Sequence, residues 1–125
     1  MSFFAELVAH LVADAGVTAL VAVDHITPIV RPQGQALPGI TYQIISGTPA
    51  NSLDGHTSGM THIRVQIDAW ADDYDEARAI AAAVKSRMNT VAATFRSLLL
   101  FDQDLFEDST RIYRVLMDFS CWHHE

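Results

Sequence analysis

Cysteine is nearly absent from the 125-residue chain, in which Cys121 stands alone. A single cysteine excludes an internal disulfide and fits a reducing compartment. Basic residues are also few, with 8 against 15 acidic ones, which gives a formal net charge of −7. Proteins that bind DNA or RNA usually carry a basic surplus, because neutralised phosphates supply much of their affinity. The composition therefore disfavours nucleic-acid recognition.

Long apolar runs are missing too. No stretch approaches the roughly 18 apolar residues of a membrane-spanning helix, and the opening MSFFAELVAHLVADAG lacks the basic start of a signal peptide. We expect a soluble, intracellular protein with no membrane partner, folded as a single domain over residues 1–125. Hydrophobic residues make up 50% and charged residues 18%. This apolar bias suggests that a partner covers some of the surface.

Catalytic and cofactor motifs are also lacking. The chain contains no phosphate-binding GxxxxGK[ST] or GxGxxG motif. None of His10, His56 and His62 has a serine or cysteine at a motif position. Cys121, His123 and the following histidine do not have the paired spacing of zinc ligands, and Cys121 falls in an inward register typical of a core residue. We therefore expect no catalytic residue, no cofactor and no zinc site.

Acidic residues are abundant in HIRVQIDAWADDYDEARA, residues 62–79, where five carboxylates fall within nine positions. Asp73 and Glu76 have the spacing of a capping box, in which the cap side chain accepts from the amide three residues on and the Glu76 side chain reaches back to the amide of the cap. Asp75 adds negative charge where the helix dipole favours it. A calcium loop would need alternating oxygen ligands and a central glycine, which this segment lacks. These acids predict a helix start and no metal site.

The periodicity predicts a helix, two strands, a second helix and two more strands. A first helix from Ser2 to about Ala15 has His10 on its polar side, and Pro and Gly make residues 28–39 a turn-rich connection. Strands are predicted at 39–46, 60–71, 96–107 and 111–123, with a long polar loop at 47–59. The second helix has a core stripe at Ala77, Ile80, Ala81, Val84, Met88 and Val91. The fold class is α+β, with an antiparallel-dominated four-stranded sheet and helices packed on one face.

Two aromatic residues fall on the polar-facing side of their strands. Trp70 shares its side with Arg64, and Trp122 shares its side with Arg114. Either a second layer such as the first helix covers them, or they contact another subunit, because Trp and Arg are enriched at interfaces. We also expect the 47–59 loop or an edge strand to reach a neighbouring subunit. The candidate interface residues are Trp70, Trp122, Arg64, Arg114, Asn51, Leu53, Asp54 and His56.

Three stretches together resemble one family. They are PQGQALPGITYQIISGTPANSLDG, THIRVQIDAWADDYDEARAIAAAV and RIYRVLMDFSCWH. The chain is similar, over almost its whole length, to the tail-completion (tail-terminator) proteins of long-tailed phages and prophages, which also occur in gene transfer agents. The most specific parts are residues 64–70 running into Tyr74-x-Glu76-Ala77, and Asp118-Phe119-x-x-Trp122. These patterns carry the fold and contain no catalytic motif.

The resemblance implies a structural virion protein with a small α+β fold. It implies a homo-oligomer, a hexameric ring, that caps the head-proximal end of the tail tube, terminates tail growth and joins tail to head. Its partners would be the major tail tube protein and a head-tail connector or stopper, with DNA passing through the lumen unbound. It would be located in the virion tail, and in the host cytoplasm during assembly. The acidic segment at 102–108 varies in the family, so no role is transferred to it.

Two other functions remain open. The same composition fits another head-tail connector, adaptor or stopper ring. A small metal-dependent hydrolase that uses the histidines and Asp68 is the alternative from another class. Bound metal would favour the hydrolase, because a structural ring needs none.

Overall fold

A computed structural model describes residues 3–51, 57–89 and 95–124, with side chains for 3–47, 61–89 and 95–123. It consists of one five-stranded sheet and three helices, besides one short 3-10 turn, Val23–His25. The elements in chain order are α1 Phe3–Val12, α2 Ala15–Thr18, β1 Ile26–Pro28, β2 Gly39–Asn51, β3 Thr57–Ala71, α3 Tyr74–Met88, β4 Phe95–Glu107 and β5 Ile112–His124.

The core lies between the helices and one face of the sheet. Alternating residues of β3 and β5 point into it, since successive side chains of a strand face opposite sides. The predicted core stripe of α3 is confirmed as far as Met88, and Val91 lies outside the described residues. Burying this face supplies most of the stability, at about 25 cal/mol for each Å² of apolar surface. The buried strand residues are Ile63, Val65, Ile67, Ala69, Val115, Met117, Phe119 and Cys121.

The sheet differs from the predicted one in strand number and direction. Its order is β1-β2-β3-β5-β4, and β1 runs parallel to β2 while the other neighbours are antiparallel. The prediction of a four-stranded antiparallel-dominated sheet was therefore wrong, because the sheet is five-stranded and mixed. The missed strand, Ile26–Pro28, has three residues and ends in proline. A strand so short shows no alternation, and proline is tolerated there because this is an edge.

The hairpin between β2 and β3 is longer than expected. Residues 47–59 were predicted to be a loop, but β2 continues to Asn51 and β3 begins at Thr57. The ladder pairs Gly47 with Ile63 and Asn51 with Thr57. The prediction failed because a polar, glycine-containing segment can still form a two-stranded ladder, whose hydrogen bonds are made by the backbone alone.

Helix α1 is held against α3 and β5. His10 was predicted on the polar side of α1, but it is buried, and its Nε2 lies 2.9 Å from the carbonyl oxygen of Arg87. In return, Arg87 Nε donates to the carbonyl oxygen of His10 at 2.6 Å. Glu6 forms an ion pair with the buried His123 of β5. Among the described helices, none combines the length and apolar character needed to cross a bilayer.

Candidate assembly surfaces

The acids at 72–76 start α3. Asp73 is the N-cap with extended backbone, and its Oδ2 accepts from the amide of Glu76 at 3.1 Å. This confirms the Asp73 half of the predicted capping box, and it satisfies one of the amides that have no partner within the helix. Asp75 and Glu76 lie in the first turn, as the helix dipole favours. Within the described side chains, no three His, Cys, Asp or Glu groups are placed to hold a metal ion.

Cys121 lies in the core, as its register predicted. It is fully buried, and burial raises the pKa of its thiol to about 12. A thiol this far from ionisation is a poor nucleophile and a poor metal ligand, because both roles require the thiolate. The cysteine therefore acts as a small core residue.

On β3 and β5, the sheet face opposite the helices carries charged residues, and these charges pair with one another. Asp68 and Asp118 lie on this face, and both are buried. Asp68 Oδ2 accepts from two nitrogens of Arg114, at 3.1 and 2.6 Å, while Arg64 forms an ion pair with Asp118. Each carboxylate is thus covered by the arginine that neutralises it. We call this surface, formed by the outward residues of β2, β3, β4 and β5, the open face.

Trp70 is fixed within the open face. Its Nε1 donates to the hydroxyl of Thr41 at 2.9 Å. The guanidinium carbons of Arg114 and Arg31 lie 4.7 and 5.5 Å from the centre of its ring. The side chain is half-buried by these neighbours. The suggestion that the first helix covers it is wrong, because the helices pack on the other face.

Trp122 is the exposed member of the pair, with 45% of its surface accessible. It stacks on His62 at 4.3 Å between ring centres, and His62 Nε2 lies 2.5 Å from Ser120 Oγ. The four predicted interface residues of β3 and β5 thus share the open face, but their surroundings differ. Trp70, Arg64 and Arg114 are engaged within the chain, whereas Trp122 offers an aromatic ring to solvent.

The remaining predicted interface residues belong to the β2–β3 hairpin. Leu53, Asp54 and His56 lie outside the described residues. The backbone of Asn51 ends β2, opposite Thr57, and its side chain also lies outside the described part. Their assignment to an interface stays a prediction.

The acidic segment of β4 connects the sheet to α3. Asp102 forms an ion pair with Lys85, and Asp104 Oδ1 accepts from Arg78 at 3.1 Å. The hydrogen bond from Lys85 lowers the pKa of the Asp102 carboxyl. Two of the acids in this segment therefore hold the edge strand to the helix beside it.

An apolar surface on β4 was missed at the sequence level, where residues 98–101 were interpreted only as part of a strand. Leu98, Leu99, Leu100 and Phe101 are 66%, 38%, 46% and 48% exposed. A sequence signal was present, because four consecutive large apolar residues do not alternate and cannot all face one core. Exposed apolar patches of this kind mark interaction sites. We call residues 98–101 the β4 apolar segment.

The chain is similar to known proteins in both sequence and structure. The family model described as "Tail completion protein gp17" matches residues 5–124. No curated protein matches. A chain of the solved structure titled "Virion of native gene transfer agent (GTA) particle" superposes with a TM-score of 0.72 at 20% identity, covering 99% of this chain and 96% of that chain. At that identity the likeness shows a shared fold.

Proposed function

Because the chain belongs to the tail completion protein gp17 family, it is a structural protein of a phage-type tail, and we propose that it caps the tail tube. In this proposal six copies form a ring at the head-proximal end of the tube, stop its growth and join it to the head. The observation that carries the proposal is the family match over residues 5–124, nearly the whole chain. The head-proximal end of the virion tail is its final location, reached from the host cytoplasm during assembly.

Tube growth explains why a cap is needed. A tube adds copies through one repeated interface, and each new layer exposes the surface that binds the next. A terminator must bind that surface on one side and present a different surface on the other. The major tail tube protein and a connector or stopper of the head are the proposed partners.

Net charge supports a lumen through which DNA passes unbound. The formal charge of the chain is −7, and six copies would surround DNA with a strongly acidic ring. Like charges repel, so the phosphate backbone would find little to hold it. We expect transit of DNA without specific contacts.

The proposal includes no catalytic activity and no cofactor, with residues 1–125 acting as one domain. The polar groups of the open face support this, since Asp68 and Asp118 are neutralised by Arg114 and Arg64. The pair formed by His62 and Ser120 resembles part of a hydrolase site, but an indole stacks on the imidazole ring. A general base must reach its substrate, and this cover obstructs approach.

Deletion of the gene from its phage or particle tests the function. We expect heads filled with DNA but not joined to functional tails, and tubes that are absent or of uncontrolled length. Purified protein added to isolated tubes should cap one end. Electron microscopy of the lysate gives the result, with the restored wild-type gene as the control. Normal-length tails attached to heads would contradict the proposal.

Two further outcomes separate the alternatives. Headless tails of normal length, with unjoined heads, would indicate a connector or stopper, because tube length would then be controlled by another protein. Zinc- or calcium-dependent stabilisation of the purified protein would favour a metal enzyme, since a ligand raises stability by RT ln(1 + [L]/Kd). We expect chelation to leave the melting temperature unchanged.

A further inference from the structure

One edge of the sheet lacks the usual protection against pairing. Strand β4 has thirteen residues and pairs only with β5 among the described strands. An edge strand presents unpaired backbone N–H and C=O groups, and natural proteins protect such edges with charge, proline or short length. The β4 apolar segment has none of these over four residues. Its exposure indicates a surface that is covered when the protein is assembled.

The opposite edge of the sheet is also open over part of its length. Strand β1 pairs with β2 only from Ile40 to Tyr42. Just after β1, the backbone of Ile29 adopts a φ of 67°, a rare and costly conformation for a β-branched residue. The amide of Val30 then donates to the carbonyl of Pro28 at 2.7 Å, closing a tight turn. This turn ends β1 and leaves β2 from Gln43 onward with only β3 beside it in the described chain.

Apolar side chains accompany this second open edge. Ile45 of β2 is 45% exposed, and Ile29 and Val30 beside the end of β1 are 62% and 68% exposed. A β4–β4 contact in a twofold dimer would cover only the β4 edge, whereas a head-to-tail contact would cover both edges in every copy. The distribution of apolar surface therefore favours a head-to-tail arrangement.

The two open edges lie at the same height in the sheet. Leu99 of β4 lies opposite Phe119 of β5. Phe119 lies opposite Val65 of β3, which in turn lies opposite Ile44 of β2. In a closed ring, copies are related by rotation without translation along the axis. If the strands run along that axis, the β4 apolar segment of one copy meets residues 43–46 of the next copy directly.

Each edge also carries a bulge at this height. The register shifts between Ile44 and Ser46 on β2, and between Leu99 and Phe101 on β4. The extra residues are Ile45 and Leu100, which are 45% and 46% exposed. Bulges are frequent at sheet edges and redirect side chains. Here they place an apolar side chain at the same position on both edges.

A groove beside β4 offers space for a side chain of a neighbour. Its volume is about 400 Å³, and Met88, Leu98, Leu99 and Phe119 form its apolar part. The open part of β2, from Gln43 to Asn51, is roughly 31 Å long, and this sets the length of β4 that a neighbour can pair with.

We propose that the occupant is a second copy of this chain, in which the open part of β2 pairs with β4 of the first. The three antiparallel steps from β2 to β4 make these strands run in opposite directions, so the pairing is antiparallel. Repeated around the ring, it joins the sheets of neighbouring subunits. This inference rests on the proposed ring and names the surfaces that build it.

Cysteine pairs test the contact in assembled particles and in purified protein. The double variant Ile45→Cys/Leu100→Cys, treated with a short bifunctional maleimide, should give a ladder of covalent species up to the full ring. Each single variant should remain monomeric on a denaturing gel. Efficient dimers from Leu100→Cys alone would show β4–β4 pairing and overturn the proposal. So would rings in which the double variant does not cross-link.

Charge substitutions provide the second measurement. Leu98→Asp and Ile45→Asp should abolish rings while each variant still folds, with a melting temperature near that of unassembled wild-type protein, because both side chains are exposed in the single chain. Leu20→Asp is the matched control, since Leu20 is 39% exposed and follows α2 on the helix side. Rings that persist in both edge variants would refute the edge contact but would still support the proposed ring. A wild-type protein without rings, purified and in particles, would refute the proposed function as well.

Discussion

Asp68 of β3 and Arg114 of β5 are diagonal neighbours across the two strands, and two nitrogens of the arginine donate to one carboxylate oxygen, at 3.1 and 2.6 Å. The carboxylate is buried on a face that no helix covers. Arg114 also lies against the ring of Trp70. One guanidinium therefore neutralises the acid, shields it from water and fixes the indole.

Removing this arginine should cost far more than removing a surface one. Arg114→Met leaves the Asp68 carboxylate buried without its charged partner, and we expect a loss of about 2–3 kcal/mol in the free energy of unfolding. Arg78→Met breaks the exposed pair with Asp104 and should cost about 0–1 kcal/mol. Denaturant titration of both variants gives the comparison. Equal losses in the free energy of unfolding would mean that Arg114 stabilises the buried Asp68 no more than Arg78 stabilises its exposed partner.

The helix cap gives a second prediction. Asp73→Ala should lower the free energy of unfolding by about 1 kcal/mol, because the amide of Glu76 loses its acceptor. Asp73→Ser should retain most of the stability, since serine also caps helices. Asp72→Ala, one residue earlier, is the control. If it destabilises as much as Asp73→Ala, the effect comes from local charge and the cap assignment is incorrect.

Acid should weaken the connection between β4 and α3. The hydrogen bond from Lys85 lowers the pKa of the Asp102 carboxyl below its ordinary 3.8. A lowered pKa in the folded state means that the contribution to stability is present above about 3.8 and is lost as pH falls through the lower folded value. The difference in unfolding free energy between wild type and Asp102→Asn should therefore be larger at neutral pH than in strong acid.

The matched control for this pH dependence removes the cation. In a Lys85→Met background, the effect of Asp102→Asn should lose most of its variation with pH, because the hydrogen bond that lowers the pKa is gone. Unfolding titrations at several pH values measure both differences. An unchanged pH profile would show that a group other than Lys85 lowers the pKa of the Asp102 carboxyl.

The buried thiol gives a labelling prediction. Burial raises the pKa of Cys121 from 9.0 to about 12, so its thiolate population near pH 8 falls by about a thousandfold. Alkylation of the native protein should be slower than that of the denatured protein by at least this factor. The added thiol of Leu20→Cys, outside the proposed ring contact, should react rapidly in the native state. Fast native alkylation of Cys121 itself would show that the core opens often.

Substitution of Trp70 should affect the stability of the fold, whereas substitution of Trp122 should affect assembly. Trp70→Ala removes the bond to Thr41 and the ring beside Arg114, so we expect a lower melting temperature. Trp122→Ala should change the melting temperature little but reduce ring formation or binding to tail components, since exposed aromatic residues often anchor interfaces. Thermal unfolding and particle assembly are measured on both. Normal assembly of the Trp122→Ala variant would show that Trp122 does not contribute to an interface.

The central part of the fold could be predicted from the sequence. Alternation over β3 and β5 gave the inward registers of Val65 and Phe119, because these strands bury one face against helices. The cap at Asp73 was predictable because its hydrogen bond is local. The face of Trp70 was also correct. Each of these rests on short-range spacing.

Features that depend on distant partners could not be predicted. Asp68 and Arg114 are 46 residues apart, and only the strand register places them together. His10 looked like a surface residue because its partner is a backbone carbonyl of α3, 77 residues away. Strand β1 is too short to show a period, and β2 and β3 continue through polar residues that indicated a loop. Pairing between distant segments decides all of these.

The position of β5 determines when this fold can be completed. β5 follows β4 in the chain, yet it lies between β3 and β4 in the sheet. A chain emerging from the ribosome therefore makes β3 and β4 before the strand that separates them exists. The contact of Glu6 with His123 spans 117 residues and also waits for β5. Contacts between segments this distant in sequence also slow folding. An incomplete chain has neither a finished sheet nor a finished subunit surface, so we expect ring assembly to begin only after β5 has been synthesised.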